Sequence, residues 1–534
     1  MDTDQLGIIF PQILIPDKKV NKQKWSVIAC DQFTSNEDYW IKTARTVGGS
    51  PSSYHIIVPE LFLKSGDAGE RIAHAKQTMR DYIEDGVLVS LPEGIVMVER
   101  ETPHGTRVGV VLAVDLEQYD IDASKKPLIR ATERTVTERL PVRISLREDA
   151  VLECPHVMLL INDIKDTVIA PVYQVREKFS KIYSTPLMQN GGHVQGWFID
   201  DPAVLSGVKD ALSRLKAQSR DNMLFAVGDG NHSLAAAKAV WDRRKGLMTP
   251  EERAQSPLRY ALCEVVNLYD PGITVHPIHR VMFNVQDVSS ALRTLVSIFN
   301  RTGQEAHMMY TRGTRAQKKE GVHTILFESK MSKGHIEVTK PNHPLASQTL
   351  TEALDMLAEE LPKASIDYIH GDDEFHALAR SHASLGFIME PMQKNDIFDN
   401  VIEYGVLPKK SFSLGMAEEK RYYFECRLIV EAEDEAPEEE EPEELELEEL
   451  ELEELEPEYT ETQEPQETIE IPVEQDEEVP SEPDEALVEQ DEEMPSEPDE
   501  EALSELYEEA PEDMEEETRV SRKPRRGFFG RKRD

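Results

Sequence analysis

Past residue 430 the chain loses the means to fold on itself. From Glu431 onward it carries 46 acidic against 8 basic side chains. The stretch "EDEAPEEEEPEELELEELELEELEPEYTETQEP" cannot bury enough apolar surface to offset chain entropy. Leu445, Leu450 and Leu455 recur every five positions, which matches neither a heptad nor a 3.6 period. A near-repeat follows, "EQDEEVPSEPDEALV" (474–488) and then "EQDEEMPSEPDEEAL" (489–503). Residues 431–518 read as a long disordered acidic tail of low complexity. Residues 519–534, "RVSRKPRRGFFGRKRD", form a basic tip around Phe528 and Phe529. Two readings of the tip stay open: docking on an anionic surface, or folding back on the chain's own acidic tail.

The foldable part is residues 1–430, with 57 acidic and 51 basic side chains. That near-neutral balance argues against DNA binding, which needs a positive surface. The length exceeds what one core usually supports, so two subdomains are expected, with division near 120–150 and 285–345. Cys30, Cys154, Cys263 and Cys426 lie far apart and form no CxxC pair. A disulfide framework or zinc ribbon is disfavoured, and a reducing, cytoplasmic setting fits. The opening "MDTDQLGIIFPQILIPD" has acids where a signal peptide needs bases. No apolar run approaches the ~18 residues that would span a bilayer.

Strand and helix signals alternate along this part. "KWSVIACDQF" (24–33) reads as a buried strand, and "AGERIAHAKQTMRDYIEDG" (68–86) as a helix stopped by Gly86. "GIVMVERETPHGTRVGVVLAVDL" (94–116) reads as a hairpin, and "VMLLIND" and "VIAPVYQV" as further strands. "DPAVLSGVKDALSRLKAQ" (201–218) is a helix capped by Asp201 with Pro202 in its first turn. "YALCEVVNLYD" is another strand, and "DVSSALRTLVSIFNRTG" and "TLTEALDMLAEELP" two more helices. The expected class is α/β or α+β, a mixed sheet with helices.

The most informative stretch is "MLFAVGDGNHSLAAAKAVW" (223–241). An apolar strand ends at Gly228, Asp229, Gly230, Asn231, His232 and Ser233, and an Ala-rich helix begins at once. The glycines permit a sharp turn, and the helix start offers amides and a dipole to an anion. His232 adds a donor or proton-transfer group, and Asp229 a base or metal ligand. The plain structural alternative is a capped turn with Asp229 or Asn231 as cap. The turn lacks the spacing of a Walker loop.

A second cluster, "LIRATERTVTERLPVRISLRED", holds Arg130, Glu133, Arg134, Arg139, Arg143 and Arg147. Such density suits phosphate or carboxylate binding, or a solvated face of alternating charge. His193, His276, His279, Arg280, His370, Asp372 and Asp373 sit beside turn residues. They make a metal site only if the fold gathers them.

Taken together, "KWSVIACDQFTS", "IRATERT", "ECPHVMLLIND", "GGHVQGWFI", "VGDGNHSLAAAKAVWD", "RYALCEVVNLYDPGI", "HPIHRVMF", "DYIHGDD" and "VLPKKSFSLGMAEEKRYYFECR" resemble the bacterial domain-of-unknown-function family 1015. The resemblance runs from about residue 7 to 428 and excludes the tail. The turn is also similar to the Asp-Gly-x-His-Arg turn of ParB/sulfiredoxin-like proteins. There the turn sits at a nucleotide phosphate, and some members transfer phosphoryl groups, including kinases of free serine. Asp229, Gly230 and His232 match that turn, while Ser233 stands where it has Arg.

The resemblance implies a nucleotide or phosphorylated small molecule at residues 228–233, with Mg2+ and phosphoryl transfer to a small hydroxyl substrate such as a free amino acid. His232 and the helix amides would hold phosphate, with Gly228, Gly230, Asn231 and Ser233 shaping the turn. Arg130, Arg134, Arg280, His279 and His193 are candidate ligand contacts. Asp31, Glu133 or Asp229 would be the base or magnesium ligand. The alternative class is a non-catalytic ligand sensor or scaffold whose tail recruits a partner.

Overall fold

The Met158–Ile161 strand shows how the main sheet is built. Leu159 and Ile161 enter one apolar core, while Met158 and Leu160 enter another on the opposite face. Successive strand side chains point to opposite faces, so a continuous apolar run is what a sheet covered on both sides requires. A computed structural model describes residues 5–34, 36–63, 65–122, 124–135, 140–310, 319–408 and 410–430. The expected acidic tail, the basic tip and Arg139 lie outside the described residues.

The fold is mixed α/β. Among the described residues the first sheet has nine strands. Eight run in the order Ile129–Ala131, Phe225–Asp229, Met158–Ile161, Tyr260–Asn267, Gly105–Asp115, Ile95–Thr102, His193–Ile199 and Ser180–Pro186. Ile8–Ile9 pairs with Gly105–Asp115 off this path. Phe225–Asp229 runs parallel to Ile129–Ala131 and antiparallel to Met158–Ile161. The hairpin read at 94–116 is present, with Ile95–Thr102 antiparallel to Gly105–Asp115.

Helices Pro202–Gln218 and Asn231–Arg244 cover one face. Leu234, Ala237 and Trp241 of the latter enter the core beneath the sheet. Ala235, Ala236 and Val240 pack instead on Leu140 and Ile144 of helix Leu140–Arg147. Burial on two sides explains the alanines, since small residues let helix, sheet and second helix approach closely.

A second sheet of six strands follows in the order Ala306–Tyr310, Lys333–Val338, His323–Ser329, Leu385–Ile388, Ile278–Phe283 and Ser365–His370. Leu292, Leu295, Ile298 and Phe299 of helix Val288–Arg301 pack on it with Leu350, Ala353, Leu354 and Leu357 of helix Ala346–Glu360. Residues 411–430 then return to the first sheet's other face. Arg427–Leu428 pairs with Leu152–Glu153, and Cys426 and Tyr422 bridge to Leu14 and Ile28. The Trp25 indole donates to the Phe424 carbonyl at 3.1 Å. Among the described residues no helix is long and apolar enough to cross a membrane.

Two local expectations are corrected. "VIAPVYQV" is helical, Ile169–Val175. The Asp163 carboxylate collects the Thr167 and Val168 amides and turns the chain, and Ile169 and Val172 then face the core at helical spacing. "KWSVIACDQF" begins as the short helix Lys22–Trp25, and Ile28 makes a single isolated bridge. Its burial comes from the returning segment, which accepts from Ala29 at Arg421 and donates to Val27 from Tyr423.

Candidate functional site

Strand Phe225–Asp229 slips register against Met158–Ile161 between Val227 and Asp229. A Cβ on Gly228 would lie 2.7 Å from Leu414 Cδ1 and 2.9 Å from Leu160 Cγ, so the strand end packs closely under both leucines. Gly230 is left-handed, with φ +76°, and caps helix Asn231–Arg244 with no side-chain cap hydrogen bond. That end of the helix therefore carries the exposed dipole that favours an anion. The Gly230 amide donates to Asp229 Oδ1 at 2.9 Å. Asp229 Oδ2 is buried with no hydrogen bond and lies 3.3 Å from Lys420 Nζ. Asn231 donates from Nδ2 to the Glu133 carbonyl at 2.8 Å, while its Oδ1 is buried with no hydrogen-bond partner. A buried acceptor left without a donor costs roughly 1–3 kcal/mol. Asn231 Oδ1 suits a donor or a hard cation brought by a ligand, while Asp229 Oδ2 meets the Lys420 ammonium.

Glu133 sits against this turn. Its carboxylate accepts from the Lys410 and Ser411 amides at 3.2 and 3.0 Å. Burial raises its carboxyl above the usual range despite those amides. On the other side, Asp31 lies 3.4 Å from His156 Nε2, and His156 Nδ1 is 2.8 Å from the Tyr423 hydroxyl. Burial would depress the His156 imidazole, but Asp31 and, more weakly, Asp229 outweigh it and raise its pKa above the ordinary value. Burial would likewise raise Asp31, but His156 holds its carboxyl well below the usual range. Arg143, paired with Glu60 at 2.9 Å, adds its field to both.

Asp229, Asn231, Glu133 and Asp31 are thus gathered, with half-buried His232 and Ser233 on the first turn of the helix. Arg280 touches the cluster through the backbone: its guanidinium donates to the Lys410 carbonyl at 3.1 Å and to the Ile278 carbonyl. Burial pushes Arg280 down to about 10. The other candidates lie apart or are otherwise engaged. Arg130 is bound to Asp221, which precedes the strand at the end opposite the turn. Arg134 is exposed, and its amide donates to the Leu407 carbonyl. His279 is buried in the second sheet, accepting from the Met389 amide on Nδ1 and meeting Asp372 with Nε2. His193 is separated from the turn by four intervening strands, on the order of 24 Å at about 4.8 Å per strand.

His156 and Lys420 stand at the site against Asp31 and Asp229, yet no sequence motif singles them out. Both lie in the family-like phrases, "ECPHVMLLIND" and "MAEEKRYYFECR", without a motif of their own. Only the returning segment brings Lys420 to the turn.

The family model described as "Protein of unknown function (DUF1015)" matches residues 11–357. No curated protein matches the sequence. Among solved structures, the chain is similar to a conserved hypothetical protein from Pyrococcus furiosus, at 11% identity and TM-score 0.32, covering 59% of this chain and 94% of that one. It is similar to a free serine kinase in complex with AMP, at 11% identity and TM-score 0.33, covering 59% and 90%. A C-terminally truncated SbnI from Staphylococcus aureus gives 12% identity and TM-score 0.29, covering 57% and 82%.

Proposed function

The chain belongs to the DUF1015 family of proteins of unknown function, and from that premise we propose that it binds the phosphate of a nucleotide or phosphorylated small molecule at residues 228–233. We further propose transfer of that phosphoryl group to a small hydroxyl substrate such as a free amino acid. The observation that carries the reading is the start of helix Asn231–Arg244, left-handed at Gly230, without a side-chain cap, and facing Lys420 across Asp229.

The first-turn amides and His232 hold the phosphate. Lys420 takes the part of the arginine that Ser233 replaces, and the His156 imidazolium adds positive charge behind it. Asp31 is committed to His156 and Glu133 to two amides, and we assign Asp229 Oδ2, which meets only the Lys420 ammonium, as the oxygen that accepts the proton. In the transfer step the acceptor hydroxyl oxygen bonds to phosphorus as the bond to the bridging oxygen breaks. The hydroxyl proton passes to Asp229, and the nucleotide leaves on the bridging oxygen. Asn231 Oδ1, which has no hydrogen-bond partner, is the oxygen on the turn that would hold Mg2+.

Calorimetric titration of the full chain with ATP and ADP, each with and without Mg2+, tests the binding step. Asp229→Asn keeps binding and loses transfer to free hydroxy amino acids, and Lys420→Met weakens binding. No binding of either nucleotide refutes the site. Binding without transfer to any hydroxyl acceptor replaces the enzyme reading with that of a ligand sensor.

A further inference from the structure

Beside this site, three side chains from distant parts of the sequence converge. His104 lies at the tip of the hairpin between Ile95–Thr102 and Gly105–Asp115. His276 lies on the short strand Val275–His276, which pairs with Ser413–Leu414. Glu419 closes the turn Ala417–Glu419 in the returning segment. One ligand atom from each lies within 4.8 Å of the other two. We propose that His104, His276 and Glu419 form a site for a divalent transition metal of the zinc class, with a coordination position open to solvent or to a ligand.

The carboxylate is set in place before any ion arrives. Glu419 is buried, and its Oε2 accepts from the Met416 amide at 2.6 Å. Its carbonyl accepts from Arg107 at 2.8 Å. The chain passes close enough that a Cβ on left-handed Gly415 would meet Glu419 Cβ at 3.0 Å. Oε1 is 2.6 Å from His104 Nδ1, and Oε2 is 3.8 Å from His276 Nε2. The two imidazole rings stand 5.5 Å apart. His104 is exposed at the hairpin tip, and His276 is half-buried with Nε2 2.7 Å from Thr274 Oγ1.

The donor set decides the class of ion. Two imidazole nitrogens and one carboxylate suit zinc and its first-row neighbours, whereas magnesium and calcium prefer oxygen throughout. Ligands at about 2.0–2.1 Å in a tetrahedron lie roughly 3.4 Å apart, so closing the trio takes side-chain movements of about an ångström. Three protein ligands leave the fourth position open, as in catalytic rather than structural zinc sites. Loading requires each imidazole to present a ring nitrogen without its hydrogen to the ion. It also fixes Glu419, whose neighbour Lys420 reaches Asp229. The assignment stands independently of the phosphate reading.

The test uses the full chain, stripped with chelator and dialysed against Zn2+ or Co2+. Metal content and the visible spectrum of bound Co2+ are then read. Wild type should hold about one equivalent, with a tetrahedral Co2+ spectrum that Mg2+ does not displace. His104→Ala and His276→Ala should each weaken binding by at least about tenfold. Replacing an exposed hairpin-tip side chain leaves the far-UV circular dichroism unchanged. Absence of stoichiometric Zn2+ and Co2+ binding overturns the proposal. So does binding that survives both substitutions, because the metal then sits elsewhere.

Discussion

Gly230→Ala is the sharpest probe of the turn. At φ +76°, an alanine pays about 1–2 kcal/mol for left-handed backbone. Its Cβ would stand 2.8 Å from Val157 Cα, 3.1 Å from Val157 Cγ2 and 3.2 Å from the Val157 nitrogen. Comfortable carbon–carbon contact begins near 3.5 Å, and two of these three atoms are backbone that cannot swing aside. Overpacking of this kind adds about 1–3 kcal/mol, so a total loss of about 2–5 kcal/mol is expected. Gly207 supplies the contrast. It lies exposed within helix Pro202–Gln218, and a Cβ there meets nothing within 4 Å. Gly207→Ala should gain about 0.5–1 kcal/mol from helix propensity alone. Urea unfolding of the full chain, followed by fluorescence of the buried Trp25, Trp40, Trp197 and Trp241, measures both. Where Gly230→Ala is still folded, its nucleotide affinity should also fall, because Val157 pushes the first helical amides out of place. A loss under about 1 kcal/mol, or stability equal to that of Gly207→Ala, would refute the strained-turn account.

Other expectations follow from single contacts. Asp201 Oδ1 accepts from the Ala203 and Val204 amides at 3.0 Å each, so Asp201→Ala should cost about 1 kcal/mol in thermal or chemical unfolding. Arg421 is buried between Glu264 and Glu425, and Arg421→Met should destabilise by about 3–5 kcal/mol, because Glu425 is then left with only the Tyr183 hydroxyl and Glu264 with only the more distant Arg107; a neutral result would dismiss the network. The His156 pKa is raised, so its contribution is complete below about 6.5 and is lost as pH rises through its folded value. The Asp31 pKa is lowered, so its contribution is present above about 3.8 and is lost as pH falls through its folded value. The pair is at full strength between those limits. Proton NMR should show His156 titrating above 6.5 in wild type and lower in Asp31→Asn, and an unmoved titration would dissolve the pair.

Sequence pattern was most legible where chemistry is local. The capped helix Pro202–Gln218 and the strand-turn-helix around Gly230 each announce themselves within about twenty residues, through a cap, a period and two glycines. "VIAPVYQV" failed because an apolar run of eight fits helix and strand alike, and the Asp163 side chain that starts the helix lies outside the run. Asp229, Asn231 and Glu133 could be nominated from their neighbours. Arg130 could not be ruled out in that way, since its engagement with Asp221 depends on how two distant strands pair. His156 and Lys420 carry no local mark, because a lone histidine and a lone lysine acquire meaning only from what folds against them. The buried charges of Arg100, Arg107, Glu264, Arg421 and Glu425 were hidden for the same reason: the sheet and the returning segment bury them together.

The return of residues 411–430 to the first sheet also sets when the protein becomes competent. Trp25 and Phe424 bond across 399 residues, and Lys420, Glu419 and Tyr423 arrive with that same segment. A chain growing from the ribosome can form its hairpin and its second sheet early. It cannot assemble the charged centre until residue 430 has cleared the exit tunnel. Contacts that span nearly the whole unit also make this closing step slow. A chain that ends between residues 389 and 410 therefore holds every strand of both sheets yet lacks Glu419 and Lys420, so ligand binding at the proposed site would report that synthesis of the unit was completed.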